Sequence, residues 1–145
     1  MKKIDVKNGD MTYAQRIALG KILSDQTIED VARFDGVFLC LHDKQPKPKE
    51  YESLFPYFNE IVDGIIFWTQ TEEMMLHYVP TEDEIRAGIK EYQTNVGDLG
   101  TATSIAKDYG FKPEDVFNWK YSEVFAIMLA DLEAHKYKQR MSALK

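Results

Sequence analysis

Three histidines and one cysteine are the side chains whose types first suggest chemistry in this chain. His42, His77 and His135 are scattered, and none belongs to a two-histidine pair spaced to bind zinc on one helix. Glu73 lies four residues before His77, a spacing more typical of a surface ion pair than of metal ligands. Cys40, within an apolar run, is interpreted as a small buried residue. We therefore predict no metal and no cofactor.

Paired carboxylates are the other candidate catalytic groups. They occur at Glu72 with Glu73 and in the run from Glu82 to Glu84, where solubility and helix capping already explain them. The sequence contains neither a glycine-rich loop after a strand nor a nucleophile elbow. We predict that the protein is not an enzyme, although a site assembled from distant residues stays open.

The segment from Ser104 to Trp119 has the pattern of a helix-turn-helix, with Gly110 at the turn and Pro113 at the start of the second helix. That second helix would present Glu114 and Asp115 to a polymer of phosphates, which disfavours DNA binding. We instead predict a structural corner near residues 101–119. The apolar residues expected to hold it together are Ile105, Ala106, Tyr109, Phe111, Val116 and Trp119.

Hydrophobic periodicity elsewhere predicts an all-α protein, a compact bundle of about five to six helices. A length of 145 residues fits a single domain with one core. The segment Gly36–Leu41 is the exception, since its continuous apolar run fits either a helix or a strand. The predicted divisions are an N-terminal helical pair (10–42), a proline-containing loop (43–50) and a C-terminal helical part (51–145).

Local signals place individual helices in the C-terminal part. Pro56 is best tolerated in a first turn, so a long helix is expected to begin near Ser53. Gly64 inside it suggests a close helix crossing or a bend. Thr81 and Glu84 form a capping-box pattern, which predicts a helix from about residue 82 to residue 93. The stretch "NVGDLGT" is expected to interrupt it, and the last long helix is predicted at residues 121–142.

Composition bounds the possible partners. The formal net charge is −6 and the pI is about 5.1, whereas nucleic-acid binders usually carry a basic face. One cysteine excludes an internal disulfide and favours a reducing compartment. No apolar run is long enough to span a membrane, so we expect a cytoplasmic protein. Aromatic residues make up 12% of the chain, which as a set favours protein binding.

The last predicted helix is the place where such binding is expected. Its apolar residues occur on more than one side, and its end is basic without any acidic residue. One face would pack on the core and another would be offered to a partner. The predicted partner-binding residues are Tyr121, Phe125, Lys136, Tyr137, Lys138 and Arg140.

Much of the C-terminal two-thirds resembles the tail assembly chaperones of long-tailed bacteriophages and prophages. The resemblance runs from Tyr57 to Met141 and is carried by Pro80–Thr81 with Glu84, by the Ala87–Ile89 tripeptide and by "YGFKPEDVFNWKYSEVF". It contains no catalytic signature.

The resemblance implies a small helical protein of the bacterial cytoplasm that coats the long, apolar tape measure protein and keeps it in solution until the tail tube forms. Such chaperones are often made in a short and a frameshifted long form. The resemblance does not indicate which face binds the partner or whether the chain forms a homo-oligomer. The alternatives are an acidic helix-turn-helix-like regulator that binds protein, or a structural bundle of unknown role.

Overall fold

A computed structural model describes residues 1–144 and shows an all-helical fold, which confirms the predicted fold class. Residues 36–41 are helical, so the alternative of a strand there is wrong. Across the described residues the elements are α1 (Tyr13–Ser24), α2 (Asp30–His42), a 3-10 turn (Pro48–Glu50), α3 (Tyr51–Met75), α4 (Glu82–Arg86), α5 (Ile89–Tyr109), α6 (Pro113–Phe117) and α7 (Tyr121–Ala143).

The long helix α3 begins at Tyr51, two residues before the predicted start at Ser53. Pro56 therefore lies in the second turn, and the prediction that it occupies the first turn is wrong. Proline removes the N–H that would bond to the carbonyl of Glu52. Glu52 is exposed, so this loss falls in a turn close to water. The preceding 3-10 turn replaces the end of the predicted loop and leads directly into the helix.

Gly64 of α3 marks a close approach, as predicted, but its neighbour is not another helix. The N-terminal segment crosses it, and a Cβ at this position would lie 2.8 Å from Val6 Cγ1 and 2.9 Å from the Lys7 nitrogen. One turn further along, Trp68 Nε1 donates a hydrogen bond of 2.8 Å to the Val6 carbonyl. The first residues of the chain are therefore packed into the fold by a glycine and a tryptophan of α3.

The region after Pro80 differs from the predicted boundaries. Thr81 and Glu84 form the expected capping box, but α4 ends at Arg86 because Gly88 adopts a left-handed conformation with φ 82°. The helix predicted to run to residue 93 is therefore wrong. α5 begins immediately afterwards and passes through the stretch expected to interrupt it. A kink with non-helical torsion angles at Gly97 is the only trace of that break among the residues of α5.

One apolar core joins the N-terminal segment to α1, α2, α3, α5, α6 and α7. Aromatic rings contact one another through it, as in the edge-to-face pair of Trp68 and Tyr121, whose centroids are 4.9 Å apart. Each large apolar side chain buried here contributes about 1.5–3 kcal/mol to the transfer free energy. Its large, fully buried members are Met11, Leu19, Val37, Phe38, Ile61, Ile105, Val116, Tyr121 and Val124.

Candidate functional site

A buried polar junction joins α1, α3 and α7. Arg16 is 9% exposed and forms a bidentate pair with Glu72, with Nε–Oε2 and Nη2–Oε1 distances of 3.1 and 2.8 Å. The Tyr121 hydroxyl also donates to Glu72. Burial is the main cause of a raised pKa of Tyr121, and the hydrogen bond to the Glu72 carboxylate raises this pKa further. The carboxylate is thus held by a cation and a neutral phenol, an arrangement that fixes three helices relative to one another.

An open groove of about 400 Å³ lies over this junction. Gly20 leaves room for the guanidinium there, since a Cβ would lie 2.8 Å from Arg16 Nη1. Tyr13 lines the groove and its hydroxyl is 3.5 Å from Asp98 Oδ1. Burial and the charge of Asp98 raise the pKa of Tyr13 to about 12, so the phenol stays protonated at neutral pH. The groove is also lined by the charged side chains of Lys21 and Asp98.

A second polar cluster holds α4 against α7. The Tyr78 hydroxyl donates to Glu84, and His135 Nε2 lies 3.0 Å from that hydroxyl and 3.2 Å from Glu84 Oε2. The hydrogen bonds from Tyr78 and from the Thr81 backbone lower the pKa of Glu84 to about 2. The predicted capping pair is therefore present, and its glutamate also reaches the last long helix. We call Tyr78, Thr81, Glu84 and His135 the α4 latch.

The other candidate chemical residues do not converge. His42 Nε2 contacts the Tyr57 hydroxyl at 2.8 Å, whereas His77 is exposed beyond the end of α3 and so does not share a helix face with Glu73. Among residues 1–144, no three histidine, cysteine, aspartate or glutamate side chains are grouped to hold a metal ion. Burial raises the pKa of the half-buried Cys40, consistent with its interpretation as a packing residue.

The predicted helical corner exists, with Gly110 in a left-handed conformation at φ 75° and Pro113 at the start of α6. Its packing differs in part, because Tyr109 and Phe111 are 55% and 53% exposed. They lie outside because α6 has only five residues and cannot cover them. Trp119 is half-buried and contacts the Phe111 ring edge-to-face at 5.1 Å. Replacing Trp119 is therefore expected to cost less than the about 3–5 kcal/mol of a fully buried ring.

The front of α6 presents carboxylates, as expected from the sequence. Glu114 and Asp115 are exposed, and Asp115 Oδ2 accepts a hydrogen bond of 3.1 Å from the Lys112 backbone nitrogen. Asn118 is also exposed, and its Nδ2 donates to the Glu114 carbonyl. A five-residue helix with this chemistry is a poor reader of base edges, and the absence of duplex DNA binding stays a prediction.

The predicted partner-binding residues divide into two groups. Tyr121 and Phe125 are 2% and 9% exposed, so their placement on a partner surface is wrong. They lie on the side of α7 that covers Trp68, and the sequence pattern could not distinguish this side from the outer one. Tyr137, at 58%, is exposed on the far half of the helix. Lys138 and Arg140 are exposed beside it, and Lys136 is half-buried in an ion pair with Glu133 at 3.7 Å.

α7 also presents an exposed apolar face, of which Tyr137 alone was among the predicted partner-binding residues. Its members recur at intervals of three and four residues, which places them on one side of a helix, and all are exposed. The sequence signal for it is the regular spacing of three alanines, whose small side chains give only a weak apolar pattern. We call this set the outer α7 face, and it consists of Ala126, Ala130, Ala134, Tyr137, Met141 and Leu144.

A second exposed surface that the sequence did not predict follows the kink in α5. Tyr92 and Leu99 are 64% and 61% exposed, and they line an open groove of about 470 Å³ with Val96. Gly100 lets the Val96 side chain fold over the helix, because a Cβ there would lie 2.6 Å from Val96 Cγ2. The sequence suggested only a helix break at this place.

Within residues 1–144, none of the helices is long and apolar enough to cross a membrane. No protein-family model, curated protein sequence or solved structure matches the chain.

Proposed function

We propose that this protein is a tail assembly chaperone that binds the tape measure protein and keeps it in solution during tail assembly. The resemblance of the C-terminal two-thirds supplies the class of protein. The observation that carries the proposal is the exposed outer α7 face, whose far half consists of Tyr137, Met141 and Leu144. An apolar surface left open along a helix is typical of a place where another protein binds.

The chemistry around these residues defines the kind of client. Arg140 and Lys138 lie on opposite sides of the apolar line, as their spacing from Tyr137 requires on a helix. A client helix with an apolar stripe bordered by carboxylates would bury its stripe on Tyr137 and Met141 and pair its acids with these cations. The net charge of −6 would then help to keep the complex in solution. Such a chaperone would act in the bacterial cytoplasm.

Co-expression with the tape measure protein encoded nearby tests the proposal. The fraction of tape measure protein that stays in solution and is pulled down with this chain would be measured for wild type and two variants. We expect Tyr137→Glu to reduce both quantities, and the matched variant Phe55→Glu to leave them unchanged. The exposed fraction of Phe55, 54%, is similar to that of Tyr137, 58%. Phe55 lies on α3 and is not part of the outer α7 face.

A charge reversal provides a second arm of this experiment. Replacing Lys136, Lys138 and Arg140 with glutamate should weaken or slow client capture through lost electrostatic complementarity, while changing the free energy of unfolding by about 0.5 kcal/mol or less per residue. A tape measure protein that is equally insoluble with and without wild-type chain would show that the chaperone proposal is wrong. If the Tyr137→Glu variant and the charge-reversed variant both keep the tape measure protein in solution as well as wild type does, the client binds elsewhere.

A further inference from the structure

The outer α7 face is long enough to pair with another helix. It extends from Ala126 to Leu144, which corresponds to about 27 Å at 1.5 Å per residue. Its residues are all exposed, whereas Val124 and Phe125 on the opposite side are buried in the core. The packing of α7 inside one chain therefore leaves this face uncovered over most of the length of the helix.

The sizes of its residues change along the helix in a way that makes the face complementary to itself. Three alanines occupy its first half, and three large apolar residues occupy its second half. If a second α7 lies antiparallel with its midpoint between residues 135 and 136, small residues of each copy meet large residues of the other to within one position. The facing pairs in that register are Ala126 with Leu144, Ala130 with Met141, and Ala134 with Tyr137.

The charges beside the face follow the same antiparallel register. Glu133 and Arg140 lie seven residues apart on the same border of the face, so each would approach the other residue of a second copy. Glu133 also pairs with Lys136 of its own chain at 3.7 Å, and both groups are exposed enough for the carboxylate to accept a second cation. Glu123 adds a further exposed acid to the first half, whereas Lys138 adds an exposed cation to the second half. In a parallel pair the like charges would meet instead, which is unfavourable.

We propose that two copies of this chain pair through the outer α7 face as an antiparallel, two-fold symmetric helix pair. The interface is isologous, because the same patch of both copies forms it. The pairing covers Tyr137, Met141 and Leu144 and so protects these apolar residues from water while no client is bound. Only this protective role rests on the proposed function. A client helix then competes with the second copy for the same residues.

The acidic first half separates this pairing from attachment to a lipid surface. A helix that lies on an anionic membrane has an apolar face bordered by cations along its length. Here Glu123 and Glu133 border the first half of the face, next to alanines that offer little apolar area. The observations therefore favour a second copy of the chain.

Two oppositely charged variants test the pairing without a client. Glu133→Arg makes one copy positive at both residues of the pair, and Arg140→Glu makes the other negative at both. Sedimentation equilibrium of the full chain should show wild-type dimers and at least about tenfold weaker self-association for each variant alone. An equimolar mixture should regain wild-type affinity as a heterodimer, because both ion pairs are then restored. Glu52→Arg, an exposed charge reversal on α3, should leave the dimer unchanged.

Three results would overturn the pairing. They are a monomeric wild-type chain at high micromolar concentration, a mixture no tighter than its separate components, or a monomer that binds vesicles containing phosphatidylserine. Circular dichroism of each variant confirms that α7 is still folded. A monomeric chain that nevertheless keeps the tape measure protein in solution would reject the pairing and leave the proposed function intact. A dimer that fails to do so would reject the proposed function alone.

Discussion

The region around Trp68 and the region beyond Pro80 are both helical, but they are held together by different forces. Around Trp68, aromatic and aliphatic side chains from several helices interlock, and the N-terminal segment is bound to α3. Beyond Pro80, α4 is joined to α7 by the α4 latch, and the start of α5 is largely exposed. Both regions contain exposed apolar residues, such as Phe55 in the first and Tyr92 and Tyr137 in the second, but Tyr137 belongs to the outer α7 face.

The largest effect is expected from a matched pair of truncations across the two regions. Trp68→Ala should lower the free energy of unfolding by about 3–5 kcal/mol, because it removes a buried ring and the bond to the Val6 carbonyl. Tyr92→Ala should change it by about 0.5 kcal/mol or less, because that ring is 64% exposed. Urea unfolding followed by circular dichroism measures both. Equal losses would contradict the contrast between the regions.

Breaking the polar junction should have the next largest effect. Glu72→Ala leaves the buried Arg16 without its carboxylate, and we expect a loss of about 3 kcal/mol, at the low end for a buried pair because Glu72 keeps 26% of its side-chain surface exposed. The double variant Arg16→Met with Glu72→Ala should lose less than the sum of the single losses. Urea unfolding of wild type, the two single variants Arg16→Met and Glu72→Ala, and the double variant gives the coupling energy. Additive losses would show that the pair does not act as a unit.

How far the sequence predicts this molecule differs between the same two regions. The all-α class and the capping box at Thr81 follow from local patterns, which hydrogen bonds within a few residues decide. The contact of Gly64 with Val6 does not, because it depends on residues 58 positions apart. The prediction that Tyr121 and Phe125 face a partner is wrong for the same reason. Periodicity shows that a helix has apolar sides but not which side the rest of the chain covers.

The smallest effect on stability, confined to acid, is expected at the α4 latch. The folded-state pKa of Glu84 is lowered from 4.5 to about 2, so its contribution is fully present above about pH 4.5 and is lost as the pH falls towards 2. The protection of α4 amides, measured by hydrogen exchange relative to the intrinsic rate at each pH, should therefore fall across this range before the core opens. Glu84→Gln should remove this acid-dependent step. If the α4 amides of the Glu84→Gln variant lose protection at the same pH as those of wild type, groups other than Glu84 cause the transition.

Site-specific photo-crosslinking tests the central claim most directly, namely that a protein partner covers the far end of α7 while the packed region serves only the fold. A photoreactive phenylalanine would replace either Tyr137 or Phe55, which are 58% and 54% exposed in the two regions. Each variant would be co-expressed with the tape measure protein and irradiated. We predict a crosslink to the tape measure protein from position 137 and none from position 55. A crosslink from position 55 alone, or none from position 137 while the tape measure protein stays in solution, would contradict it.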